Sequence, residues 1–371
     1  MARPTQKLIQ VSAPALLGKE REYVLDALER NELTWNGWYV QLFERAFAQF
    51  CGTRFAVSCS SGTAALHLAL LALGIGPGDD VFVPALTYIA TANAVRYVGA
   101  NVILVDVRPD TWTIDTMDLC RKVNRSKQPK AIIPVHLYGL PADMNAVWRC
   151  TGRAMTVIED AAEAHGATYQ DLTVGSIGTL GAFSFYGSKV LTTGEGGMVT
   201  TNDEELAQRI WMFRGQGVAQ TDRRYFHSHV GYNYRMTNVQ AAIGLAQLET
   251  YGQHAERRAL VVGAYKRLLG GRFEIQGLPS DRTSSNWMFS VLLPSDVSRD
   301  VVMSKMDERG VETRPFFVPL NEQPAFCGPE LPVTADLSRR GLNLPTHALL
   351  SDDDVSQVCQ NLLEVVDHVR T

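Results

Sequence analysis

The chain has 371 residues, 46% hydrophobic and 20% charged, the balance of an ordinary globular protein long enough for two hydrophobic cores. A formal net charge of −4 gives no electrostatic basis for binding nucleic acid or an anionic membrane, so an anionic ligand has to be held by local groups. The six cysteines show neither C-x-x-C pairs nor zinc spacing and read as reduced thiols of a cytoplasmic protein without a metal site; the first residues lack the apolar stretch of a signal peptide, and no apolar run is long enough to span a bilayer.

In chain order, residues 18–30 predict a charged amphipathic helix. Short apolar runs then appear at 55–59, 81–83, 102–105, 131–135, 156–158, 182–185 and 198–201. Several are apolar without alternation, which is the pattern of strands buried on both faces of a mostly parallel sheet. Helical patterns over 63–73, 88–98, 115–123 and 143–150 separate them. The expected fold class is therefore α/β, a mostly parallel sheet flanked by helices. Residues 241–269 predict a long helix or a helix pair, with Gly252 and Gly263 as interruptions. Beyond it, strands at 288–293 and 312–314 and helices at 299–308 and 352–369 predict a smaller α+β lobe. The expected division is 1–250 for the large domain and 251–371 for the small one.

In open α/β sheets ligands sit beyond the carboxyl ends of the strands. Four groups fall there, each with a plainer reading. SSGT at 60–63 joins a strand to a helix. Its small residues, hydroxyls and helical N–H groups suit a phosphate, although Ser and Thr also serve as simple N-caps. Asp160 ends VIED and could pair with a cationic ring nitrogen, with Glu163 reaching a neighbouring substituent; Asp160 could equally cap a helix over 161–164. Lys189 follows the aromatic strand AFSFYGS and precedes the glycine-rich TTGEGG. Partial desolvation there would make its amine a nucleophile able to form a Schiff base, where most lysines are merely solvated. GYNYRM at 231–236 could form a polar contact arm through Asn233 and Arg235, or pack on its own domain. A phosphate cradle, a ring-nitrogen carboxylate and a Schiff-base lysine on successive strand ends are what pyridoxal phosphate requires of a protein.

The segments VHLYGLPADM, VIEDAAEAHGATY, FSFYGSKVLTTGEGGMVTTND and VGYNYRMTNVQAAIGLAQLE make the chain resemble, over nearly its whole length, the DegT/DnrJ-type sugar-nucleotide aminotransferases of the fold-type I pyridoxal-phosphate enzymes. The resemblance implies that Gly62, Thr63 and Ser184 hold the cofactor phosphate, Tyr88 stacks on the pyridine ring, Asp160 faces the ring nitrogen and Glu163 lies near the ring hydroxyl. Lys189 would be the covalent anchor. Asn233 would reach the phosphate in a neighbouring subunit, which makes the active unit a homodimer with shared sites.

The resemblance further implies a GDP-linked 4-keto-6-deoxy sugar as acceptor and L-glutamate as donor. Related 3-dehydratases carry histidine in place of Lys189, so the lysine favours transamination. Thr34, Tyr186, Arg214, Arg235 and Arg314 are the candidate contacts for the sugar nucleotide. Two segments depart from the family pattern: relatives often have histidine at the positions of Val318 and Asn321, and the loop 33–37 differs as well. Both departures bear on the sugar. A UDP- or dTDP-linked keto-sugar, a cyclitol, or a non-catalytic sensor built on the same fold remain alternatives at this stage.

Overall fold

The computed structural model describes residues 8–152, 155–218 and 223–370. Its large sheet has seven strands: β1 (Phe55–Cys59), β2 (Asp80–Pro84), β3 (Asn101–Val105), β4 (Pro129–Ile132), β5 (Thr156–Asp160), β8 (Leu180–Ser184) and β9 (Gly197–Thr201), in the order β1-β9-β8-β5-β4-β2-β3. Between β5 and β8 lies a small hairpin, β6 (Thr168–Tyr169) and β7 (Leu172–Thr173). The pairs β2–β3, β2–β4, β4–β5 and β5–β8 are parallel, while β9 runs antiparallel to both β8 and β1. This is the mostly parallel sheet that the unalternated apolar runs predict.

Helices α1 (Glu20–Glu29), α2 (Trp38–Cys51), α3 (Gly62–Ala72), α4 (Ala90–Tyr97), α5 (Thr116–Arg125), α6 (Met144–Thr151), α7 (Glu204–Arg214) and α8 (Asn238–Glu249) surround it. Their starts follow from the local sequence. Ser61, Asp115, Asp143, Asp203 and Thr237 each accept a backbone N–H in the first turn, satisfying donors that the helix itself leaves unpaired. Because α3 is apolar on nearly all sides, it is buried between β8 and β9 below and α4 and α7 beside it.

The expected long helix divides into α8 and α9 (Tyr251–Leu269) at Thr250, and neither Gly252 nor Gly263 interrupts it. The Thr250 hydroxyl bonds the carbonyls of Ala246 and Gln247 at 3.2 and 3.3 Å, a local competitor to helix continuation. No helix forms at 161–164, where the chain makes successive turns instead.

The second sheet contains β10 (Glu274–Ile275), β11 (Phe289–Leu292), β12 (Arg314–Pro315) and β13 (Gly341–Leu344), in the order β10-β11-β13-β12 with every pair antiparallel. It packs with α9, α10 (Arg299–Glu308) and α12 (Asp352–Arg370) around Tyr265, Val291, Met306 and Leu362, while α11 (Pro332–Arg340) leads into β13. The start of the chain joins this core too, since Ile9 is buried there and pairs with Val311. A third cluster, centred on Trp112, Tyr138, Trp287 and Phe316, fills the space between the two sheets. Among the described residues, no helix is long and apolar enough to cross a membrane.

One expectation is corrected. Cys120 on α5 and Cys150 on α6 form a disulfide, leaving Cys51, Cys59, Cys327 and Cys359 free. The packing of α5 against α6 brings the two together across 30 residues of sequence, a proximity that no local spacing announces. Titration of the denatured, unreduced chain with a thiol reagent should therefore find 4 thiols, not the 6 cysteines present. Reduction should lower stability by roughly 3–4 kcal/mol, from the loop-closure entropy of a loop this long; six thiols without reductant would overturn the bridge.

Candidate active site

The middle strand of the large sheet, β5, ends at Asp160, which is 5% exposed. Burial raises the pKa of its carboxyl. Opposing that rise, in order, are the Thr91 hydroxyl, the Ala162 N–H and the charges of Lys189 and His136. Thr91 Oγ1 lies 2.7 Å from Asp160 Oδ2, and Thr87 Oγ1 lies 3.2 Å from Thr91 Oγ1. As Thr91 gives its proton to the carboxylate, Thr87 is the donor in the second bond. Behind Asp160, buried Glu159 accepts N–H groups from Gly175, Ile177 and Gly178 and faces His136 Nε2 at 3.0 Å. His136 Nδ1 accepts from Ala142 N–H, so Nε2 carries the ring proton in the neutral form. These bonds fix the loops on either side of β5.

Three residues on, Glu163 is also buried. Its Oε2 accepts the Tyr138 N–H at 2.8 Å and its Oε1 lies 3.5 Å from Lys189 Nζ. Burial pushes its carboxyl up to about 7, against the opposing pull of the Lys189 charge and the Tyr138 N–H.

Lys189 sits on the connection between β8 and β9. The turn is held by Lys189 N–H to Tyr186 O, and by Phe185 N–H to Gly196 O, each at 2.9 Å. Phe183 and Phe185 point into the core beside Phe43 and Phe47, which anchors the turn from below. Buried His165 packs between them, and burial lowers its pKa to about 3, so it is neutral. The Lys189 side chain is 12% exposed. The partial desolvation expected of it is present, with two buried carboxyls and an aromatic ring as its surroundings.

The segment expected to cradle an anion lies between β1 and α3. α3 begins at Gly62, capped by Ser61 Oγ, which accepts from Ala64 N–H at 3.1 Å. A Cβ at Gly62 would stand 2.7 Å from Ser184 Cβ, and one at Gly197 would overlap the Ser61 carbonyl. Glycine is required at both positions for the β1–α3 turn to approach β8 and β9 this closely. Ser184 thus stands against the first turn of α3, beside half-buried Thr63.

Tyr88 is 58% exposed and touches only Phe317 among the aromatic rings. From Phe317 an aromatic wall continues through Tyr138 to Trp287, with centroid spacings of 5.7 and 6.2 Å, and Trp287 faces Lys189 Nζ at 3.9 Å. Sequence reasoning missed Thr91, Trp287 and Tyr138, since nothing in their local sequence distinguishes a site residue from core packing.

The remaining candidates are dispersed. Asn233 is exposed on a short pairing with Gly215 and makes no hydrogen bond to Lys189, Asp160 or Glu163. Tyr186 is 52% exposed beside the lysine turn. The 33–37 loop and Arg235 come together, with the Arg235 guanidinium 4.0 Å over the Trp35 ring and exposed Thr34 one residue away. Arg314 pairs with Glu312 at 3.2 Å beside the second sheet.

Arg214, an expected hold on a diphosphate, has interior partners in this structure. The residue is 4% exposed and turned inward, with Nη1 on Glu44 Oε1 at 2.7 Å and on the Ser58 carbonyl and hydroxyl. The Val318 and Asn321 positions face different ways. Val318 is 53% exposed, whereas Asn321 is buried and lines a separate cavity of about 520 Å³ at the β3 edge.

A family model described as the DegT/DnrJ/EryC1/StrS aminotransferase family matches residues 15–363. The chain is 45% identical over 367 residues to the GDP-perosamine synthase of Caulobacter vibrioides, covering 96% of this chain and 98% of that one. It is 42% identical to the GDP-perosamine synthase of Escherichia coli O157:H7, at 96% and 98% coverage. Among solved structures, the PLP form of the putative sugar aminotransferase Spr1654 from Streptococcus pneumoniae aligns with a TM-score of 0.93 at 27% identity, over 98% of this chain and 100% of that one. S. venezuelae DesV aligns with a TM-score of 0.85 at 34% identity, over 95% and 93%.

Two substitutions check this geometry. The Glu163 carboxyl keeps its proton in the fold between pH 4.5 and about 7, while the unfolded chain has lost it, so stability falls as pH rises through that window and levels off above it. Glu163→Gln should remove a loss on the order of 3 kcal/mol, read as a flattened plot of urea midpoint against pH; an unchanged slope would contradict the buried carboxyl. Arg214→Met leaves Glu44 without its cation and should cost about 3–5 kcal/mol of stability, read as a lowered urea midpoint. Unchanged stability would contradict the buried Arg214–Glu44 pair.

Proposed function

The chain belongs to the DegT/DnrJ/EryC1/StrS aminotransferase family, and from that premise we propose that it transfers the amino group of L-glutamate to the 4-keto group of GDP-4-keto-6-deoxy-D-mannose, giving GDP-perosamine. The observation that carries the chemistry is the Lys189 amine, 3.5 Å from a buried Glu163 at the strand ends where Asp160 also lies. The two GDP-perosamine synthases, at 45% and 42% identity over nearly the full chain, support the choice of sugar.

The residues fit pyridoxal phosphate. A helix N-terminus too crowded for a Cβ at Gly62 suits a phosphate, a buried carboxyl suits a pyridinium nitrogen, and a primary amine suits an aldehyde. That cofactor supplies a carbonyl able to carry the amino group and a ring able to take up the electron pair of a broken C–H bond. The first-turn N–H groups of α3, with the Thr63 and Ser184 hydroxyls, hold its phosphate. Asp160, whose carboxyl is raised by burial and only partly drawn back by the Thr91 hydroxyl, would face the ring nitrogen and hold a proton there. Tyr88 offers its exposed ring for stacking, and Glu163 lies near the ring hydroxyl.

Lys189 is the anchor, and its released amine is the base. Nζ would take the proton from the Cα of glutamate, whose amino group would stay with the cofactor while water supplies the keto oxygen of the departing 2-oxoglutarate. In the second half-reaction Nζ delivers a proton to C4 of the sugar. The wall formed by Phe317, Tyr138 and Trp287 excludes water from one side of these transfers.

Two copies would share their sites, with Asn233 of one protomer reaching the cofactor phosphate of the other. The exposed position of Asn233 supports this reading. The reading also assigns the enzyme to the cytoplasm and its product to surface polysaccharide such as O-antigen. The Cys120–Cys150 bridge is the feature that fits a reducing compartment least well.

Purified enzyme with glutamate should aminate the GDP-linked keto-sugar in preference to UDP- and dTDP-linked ones, and Lys189→Ala should lower turnover by about 10³-fold or more. Borohydride reduction of the holoenzyme should leave the adduct on the peptide that carries Lys189. Preference for another nucleotide would overturn the sugar assignment, and an adduct on another side chain would overturn the anchor.

A further inference from the structure

Lys189 is held from a second direction. Its Nζ stands 3.9 Å from the centre of the Trp287 ring, within the range at which an ammonium is drawn to an indole face. The indole is itself fixed. Its Nε1–H donates to Ser188 O at 2.7 Å, the carbonyl next to the lysine, and its ring stacks on Tyr138. Its backbone is fixed too, since the Trp287 carbonyl accepts from Arg258 Nη1 at 3.1 Å. Two residues earlier, Ser285 Oγ donates to the Glu163 carbonyl at 2.8 Å. A single segment of the chain, leading into the second sheet, therefore grips both the turn that bears the lysine and the residue that bears the carboxylate opposite it.

We propose that Trp287 is a positioning residue for Lys189: its indole face and the Glu163 carboxylate form a seat that keeps the released amine in place and holds it as an ammonium once it has taken up a proton. This rests on the reading in which Lys189 alternates between anchor and free base. An amine released into open solvent would have to search for its reacting carbon, whereas an amine held against the ring keeps the proximity on which an intramolecular transfer depends. An indole suits the task better than a second carboxylate. It attracts the ammonium through its face without adding another buried negative charge beside Asp160 and Glu163.

The test uses the full-length chain stripped of cofactor and labelled with trace acetic anhydride, with peptide mapping of Lys189 against exposed Lys130 and Lys266. Trp287→Leu should raise the relative labelling of Lys189 about tenfold, and Trp287→Phe, which keeps an aromatic face, should stay within about twofold of wild type. Wild-type labelling in Trp287→Leu would overturn the seat. So would equal labelling of the Phe and Leu variants, which would reduce Trp287 to its bond with Ser188.

Should Trp287→Leu fail to fold, Lys189→Met provides the second measurement. Its indole fluorescence should differ from that of wild type, and the difference should vanish in a Trp287→Phe background; identical spectra of Lys189→Met and wild type would sink the proposal. No sugar or amino donor enters either experiment. A wrong nucleotide assignment would leave the seat standing, and unchanged labelling beside normal turnover of the GDP-sugar would remove the seat alone.

Discussion

Two carboxyls buried beside one amine, at the ends of strands that share a sheet, are the constraint around which the rest is arranged. Removing Asp160 and Glu163 from water disfavours their charged forms, and the protein opposes that with specific donors: Thr91 for one, and Tyr138 N–H and Lys189 for the other. Each of those donors must then be held in place. Thr87 backs Thr91, and the hydrogen bonds of Glu159 fix the loops around β5. The aromatic wall closes the remaining side. The site's reactivity therefore depends on a shell of residues, most of which would never touch a ligand.

Much of this was legible in the sequence, and the reason is covalent proximity. Lys189 stands four residues after an aromatic strand, Asp160 ends an apolar run, and SSGT joins a strand to a helix, so each announces its strand end locally. The β5, β8 and β9 runs were readable because central strands are buried on both faces. Helix α2 is absent from the expected elements: its sequence WYVQLFERAFAQFC buries Tyr39, Val40, Phe43 and Phe47 on one side but opens without a side-chain cap. Trp287 and Thr91 were illegible for a different reason. Each acts on a residue about 70 to 100 positions away, and nothing in the surrounding sequence encodes that meeting. Arg214 shows the opposite failure, a cation near a family motif that serves the interior.

Arg258 shows how the two sheets are joined. Its guanidinium is fully buried and meets carbonyls of Asn286, Trp287 and Thr346 at 3.4, 3.1 and 2.8 Å. Burial lowers its pKa to about 10, so it remains a cation at neutral pH. All three contacts fall on Nη1, so one end of the guanidinium gathers carbonyls from three residues. It ties α9 to the segment that carries Trp287 and to the residues that follow β13. The lysine turn of the large sheet thus faces a segment whose position is set from within the second core.

The reversed strand β9 also has a kinetic meaning. It pairs Gly197 with Cys59, joining segments separated by well over a hundred residues, and it sets Gly197 directly against the Ser61 carbonyl. Closing so long a loop is entropically costly before any contact compensates, so this pairing belongs to the slow, non-local part of folding. On a ribosome, β1 and the start of α3 emerge long before the strand that must lie beside them. The start of α3 and the lysine turn therefore come together only when β9 zips in. The last-made strand pairing is thus also the one that finishes the neighbourhood of the reactive amine.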